Sequence, residues 1–169
     1  MADSDDMIEG LRQAVRVSPD NVPLRQHLAD TLLGHGQPAD AEREFRAALQ
    51  IKPDDAKLKF GLARAFHDNS EKANAALERA LTINPRHVDS LLFQIDNAID
   101  REAYEQAEQL IAKVLEVNPH RGEAHAYRAV LAHLRGDRKA EESHRDLALG
   151  AWKTNPAIDS LIGTKLSQK

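Results

Sequence analysis

The stretch AEREFRAALQIKP, Ala41 to Pro53, decides how the rest of the chain is read. Ala41 and Ala48 flank Phe45 on one helical stripe, and Pro53 ends the helix five residues later. Small residues at both ends of such a stripe let a second helix come close, and the large side chain between them fills the gap that remains. The same figure returns as Ala73, Leu77, Ala80, Pro85 and as Ala107, Ile111, Val114, Pro119; a partial copy, Met7, Leu11, Ala14, Pro19, precedes it. Prolines 19, 53, 85, 119 and 156 stand 34, 32, 34 and 37 residues apart. A repeat of that length has room for two helices, so the chain reads as a row of helical hairpins.

Taken in order, 5–19 is a half repeat in which Met7, Leu11, Ala14 and Val15 form the apolar stripe, with 1–4 expected to fray. Full repeats follow at 22–53, 56–85, 88–119 and 122–156, and a last helix at 157–167 carries Ile158, Leu161, Ile162 and Leu166. The first repeat turns at Gly34 to Pro38, where glycine supplies the permissive backbone and proline can start a helix. The second is two residues short, and the loss falls in the turn His67 to Ser70. The fourth is the most degenerate, and Ala140, Leu147, Ala148, Ala151 and Trp152 predict a long second helix ending near Lys153. The last helix reads either as a cap or as the first helix of a further repeat.

Leu28, Ala29, Leu32, Gly36, Ala41, Phe45, Ala48 and Pro53 fall where the tetratricopeptide repeat family has its large and small residues, and the chain resembles that family along its length. Arg25 departs from the pattern, standing where the family often has a large aromatic. The resemblance implies an all-α fold, a right-handed α-solenoid of about four hairpins with a leading half repeat and a C-terminal helix, forming one domain over 5–167. Residues 8–66 and 159–169 also look like parts of longer bacterial tetratricopeptide proteins, which makes the chain readable as a segment of a larger multidomain protein.

Composition narrows the chemistry. Aromatic residues make up 4% of the 169 and alanine is abundant, which suits closely packed helices. The formal net charge of −4 and pI near 6.1 give no support to a nucleic-acid partner, which calls for a clustered basic surface. Without cysteine there are no disulfides, thiolate ligands or cysteine nucleophiles. The acidic MADSDDMIEG is no signal peptide, and no run approaches the length of a membrane span, so a cytoplasmic protein is expected. Among the eight histidines none are paired at i, i+3 or i, i+4; His120 and His125, five apart, straddle a turn. No phosphate-binding or acyl-transfer motif occurs. The expectation is a chain that is not an enzyme and holds no metal or cofactor.

Function then rests on the surface that stacked hairpins leave open. The first helix of each pair lines the inside of the curve, and side chains opposite its buried stripe face a groove fit for a peptide or helix. Those positions are Gln26, His27, Asp30, Lys57, Phe60, Arg64, His67, Leu92, Phe93, Asp96, Tyr127, Val130 and His133. Phe60, Phe93 and Tyr127 would form an aromatic ladder, or else pack as core. Some family members hold the carboxylate end of a chaperone tail with lysine, asparagine and arginine side chains. Placing that pattern here meets Gln26, Asp30, Gly61, Asp89 and Phe93, or Phe60, Arg64, Phe93, Glu123 and Tyr127; the donors are missing and the acids would repel the tail. A protein-binding scaffold is therefore expected, with self-assembly through the apolar C-terminal helix, or a regulatory arm of a larger enzyme, as alternatives.

Overall fold

A computed structural model describes residues 2–66, 70–150 and 155–168. Among them are ten α-helices and no strand. The chain divides into two compact units, Met1–His87 and Val88–Lys169.

Unit 1 contains α1 (Ala2–Val17), α2 (Val22–Gly34), α3 (Pro38–Ile51), α4 (Ala56–Ala65) and α5 (Ser70–Ile83). The N-terminal residues expected to fray at 1–4 are helical from Ala2. Each of the first two hairpins begins with a polar cap: Asn21 accepts from the Leu24 N–H at 3.0 Å, and Asp55 accepts from Lys57 and Leu58 at 2.9 and 3.2 Å. Such caps satisfy backbone donors that have no partner inside the helix. Helix α2 packs on α1 and α3, and α4 packs on α2, α3 and α5. Ala41, Phe45 and Ala48 face Leu28, Ala29, Leu32 and Leu58 in a core where Phe45 is wholly buried. Burying that ring contributes about 2–3 kcal/mol. Phe45 lies directly against Gly61, where an added Cβ would overlap its ring, so the glycine on α4 is what lets α3 come this close.

Unit 2 contains α6 (Val88–Asp100), α7 (Tyr104–Val117), α8 (Gly122–Leu134), α9 (Arg138–Leu149) and α10 (Pro156–Ser167). Helix α8 is central, packed on α6, α7, α9 and α10. Ala124, His125, Ala126, Tyr127, Ala129, Val130, Leu131 and Ala132 are all buried, so most of α8 is enclosed, with Arg128 half-exposed and His133 exposed. The predicted extension of the second helix to Lys153 is not seen: α9 ends at Leu149, where Gly150 takes φ 59°, and Ala151, Trp152 and Lys153 lie outside the described residues. Helix α10 starts on the side chain of Asn155, which accepts from Ala157 at 3.2 Å, and buries Ile158, Ile162 and Lys165.

The three hairpin turns that are described share one geometry. Gln37, Ala103 and Asp137 each donate their N–H to a carbonyl five residues back, at 2.9, 2.8 and 2.9 Å. The residue before each donor has positive φ: Gly36 at 69°, Glu102 at 62° and Gly136 at 73°. This closes the helix end with a left-handed residue, a place that favours glycine. Of the predicted turn His67 to Ser70, residues 67–69 lie outside the described residues, and α5 begins at Ser70.

Candidate functional site

The expected groove positions divide between the units. In unit 1 they bring Asp30, Phe60 and Arg64 together: Arg64 Nη1 donates to Asp30 Oδ1 at 2.9 Å, joining α4 to α2. The same guanidinium stands 5.9 Å from the centroid of the Phe60 ring, which also meets His87 at 5.5 Å in a tilted arrangement. Phe60 and Gln26 are half-buried, and Arg64, His27 and Lys57 are exposed. His67 lies outside the described residues. The result is a surface with an aromatic side, a guanidinium and a carboxylate, able to hold an apolar side chain beside a polar backbone.

In unit 2 two of the corresponding positions, Tyr127 and Val130, are buried, while Leu92, Phe93 and Asp96 are half-buried and His133 is exposed. Tyr127 Oη donates to Asp96 Oδ1 at 2.9 Å, and Lys165 of α10 donates to Asp96 at 2.8 Å and to Asp100 at 2.7 Å. Burial works against the charge on Lys165, but its bonds to Asp100 and Asp96 outweigh this and hold its pKa above the usual lysine range. Burial, and then the charge of Asp96, push the Tyr127 hydroxyl up, so it remains a donor. Two groove assignments change accordingly: Tyr127 is 6% exposed and Val130 is not exposed at all, on a helix packed by α6, α7, α9 and α10. His133 changes for another reason. Its Nδ1 meets Glu141 of α9 at 2.9 Å, so it faces its own hairpin partner, and that bond holds the Glu141 carboxyl below the usual range. Leu92 and Phe93 on α6 are half-buried.

Lys165 and Asp100 were not foreseen. The signal was present, since Lys165 follows Ile158 and Ile162 at i+7 and i+3 and so stands on their stripe. The histidines are arranged differently from the His120 and His125 pair that spacing brought forward. His125 stacks on His144 with centroids 5.9 Å apart, and its Nε2 donates to the Pro119 carbonyl at 2.9 Å. Among the described residues no three His, Asp or Glu side chains gather where a metal ion could be held. No helix among them is long and apolar enough to cross a membrane.

The family profile for the tetratricopeptide repeat matches residues 28–88. Solved structures share the fold over most of the chain. MamA is 21% identical, with 88% of this chain and 88% of that one covered at a TM-score of 0.69. A thermophilic TPR protein of Thermus thermophilus is 24% identical, with 86% and 82% covered at 0.70. PilW, a widely conserved type IV pilus biogenesis factor, is 18% identical, with 99% and 80% covered at 0.75. A search of curated proteins finds no match. At these identities the likeness is one of fold.

Proposed function

We propose, from the match of residues 28–88 to the tetratricopeptide repeat family and the fold shared with solved tetratricopeptide structures, that the chain is a protein-binding scaffold which takes a peptide or helix of a partner on the α2 and α4 face of unit 1. The fold generally mediates contacts between proteins and carries no chemistry of its own, which agrees with the lack of any catalytic constellation in the sequence. One observation supports the choice of face. Asp30, Phe60 and Arg64 form a connected, partly exposed group on α2 and α4, while in unit 2 Tyr127 and Val130 are buried and Asp96 is bonded to Lys165. On this reading the α8 face of unit 2 is less available than the α2 and α4 face of unit 1.

Self-assembly through the C-terminal helix has less support, because two of the four residues on which it rested, Ile158 and Ile162, are 4% and 2% exposed within unit 2, and the other two, Leu161 and Leu166, are half-buried. The test is affinity capture from a cell extract on the immobilised full chain, beside the Phe60→Ala, Arg64→Ala variant. A protein retained by the parent and lost from the variant, with the circular dichroism of the two superimposing, is the expected result. Equal retention by both would remove the face from consideration.

A further inference from the structure

Successive second helices are separated by clefts floored by the first helix between them, and three such clefts can be compared. The cleft between α1 and α3, about 380 Å³, is crossed by ion pairs: Arg12 meets Asp40 at 2.7 Å, Arg43 also meets Asp40, and Arg25 meets Glu44 at 2.6 Å. The Arg43 guanidinium, with Arg12 beside it, holds the Asp40 carboxyl below the usual range. The cleft between α7 and α9, about 260 Å³, is neutralised in the same way, with Glu108 between Arg128 at 3.7 Å and Arg135 at 3.2 Å.

The cleft between α3 and α5 is different. It is larger, about 520 Å³, and among the described residues its lining carries Arg46, Lys59, Lys72 and Arg79 and no carboxylate. Arg46 meets Glu42 on its own helix at 2.7 Å, whereas Lys59 and Arg79 form no ion pair among the described residues. Its floor is apolar. Phe66 lies there with Leu49 and Leu62, and the Arg46 guanidinium and the Lys72 ammonium stand 5.6 and 5.9 Å from the ring centroid.

Lys59 and Arg79 beside an apolar floor, in a chain whose net charge is −4, are complementary to a ligand that is both acidic and apolar. A simple polyanion would satisfy the rim and leave the floor empty; a nucleic acid would call for a longer basic track. We propose that the cleft between α3 and α5 is a docking groove for an acidic amphipathic segment of a partner protein, whose carboxylates meet Lys59 and Arg79 while a large apolar side chain rests on Leu62 and Phe66. The groove is independent of the α2 and α4 face and needs no displacement of any helix.

The probe is a fluorescein-labelled peptide about 14 residues long, with leucines at i, i+4 and i+7 among glutamates and alanines, followed by anisotropy on the full chain. Saturable binding is expected, weakened at least about tenfold by Lys59→Glu with Arg79→Glu and more modestly by Phe66→Leu, and reduced by added salt. Lys113→Glu with Lys139→Glu, the same charge change placed in unit 2, should leave affinity unchanged. Should the glutamate pair lower helical content, Lys59→Gln with Arg79→Gln removes the charges without repulsion. The proposal is overturned if the peptide does not bind saturably, if replacing its leucines by serine has no effect, or if an oligoglutamate of equal charge binds as well. It is also overturned in favour of a second copy if the chain self-associates in sedimentation and the cleft variants abolish this.

Discussion

Helices α4 and α8 carry different residues at one register position. Gly61 stands six residues after the cap Asp55, and Tyr127 six residues after the cap Arg121. In unit 1 the glycine admits the Phe45 ring, so α4 is held against α3 and its Phe60 and Arg64 remain at the surface. In unit 2 the large tyrosine reaches α6 through Asp96, and α10 lies over α8 with Lys165 on the same carboxylate. One helix offers a face; the other has spent it on its own chain. The residue at one register position goes with which of the two outcomes is seen, and that correspondence can be attacked from either side.

The largest effect is expected in unit 2. Ile162→Asp puts a carboxylate into a site now 2% exposed, at a cost of about 3 kcal/mol or more, which should detach α10 before it unfolds the hairpins. Hydrogen exchange along α8 should accelerate while exchange along α2 and α4 stays as it was. Lys165→Met is the milder companion: it keeps the apolar stem, leaves Asp96 and Asp100 to solvent, and should release α10 only in part. If α8 were equally protected in Ile162→Asp, α10 would not be what encloses it.

The next effect belongs to unit 1. Gly61→Ala sets a methyl group against a fully buried ring, and overpacking of this kind costs about 1–3 kcal/mol. Chemical denaturation should show the loss, and Gly61→Ala with Phe45→Leu should recover part of it by making room. A neutral Gly61→Ala would mean that α3 and α4 are free to part, and the contrast between the units would lose its cause.

The all-α fold was legible because close helix pairing needs small residues at fixed intervals, and Ala41, Phe45, Ala48 and Pro53 display that interval in one glance. The face in unit 1 could be read in part, since Asp30 and Arg64 follow from helical spacing; the cation standing over Phe60 depends on how α2 and α4 lie together. Tyr127 and Val130 could not be read as buried, because nothing in α8 itself says that a helix more than twenty residues later will lie along it. The clefts were harder still. Their character depends on which charges on neighbouring second helices find each other, as Arg12 finds Asp40 and Lys59 finds no carboxylate, and such pairings are fixed by packing.

The smallest effect separates the hairpins from one another. Gly36, Glu102 and Gly136 occupy equivalent turns, and only Glu102 carries a side chain in the left-handed region. There a Cβ crowds the following carbonyl at a cost of about 1 kcal/mol or slightly more, part of which glycine gives back through its greater freedom in the unfolded chain. Glu102→Gly should therefore stabilise unit 2 by about 0.5 kcal/mol, and Gly36→Ala or Gly136→Ala should destabilise by about 1 kcal/mol, read as shifts in denaturation midpoint at unchanged slope. The opposite signs are the point of the test, since the same turn is asked to lose a side chain in one hairpin and to gain one in the others. A Glu102→Gly variant less stable than the parent would show that contacts of the glutamate side chain outweigh the strain of its backbone, and the third hairpin would then be held shut by a side chain where its neighbours rely on glycine.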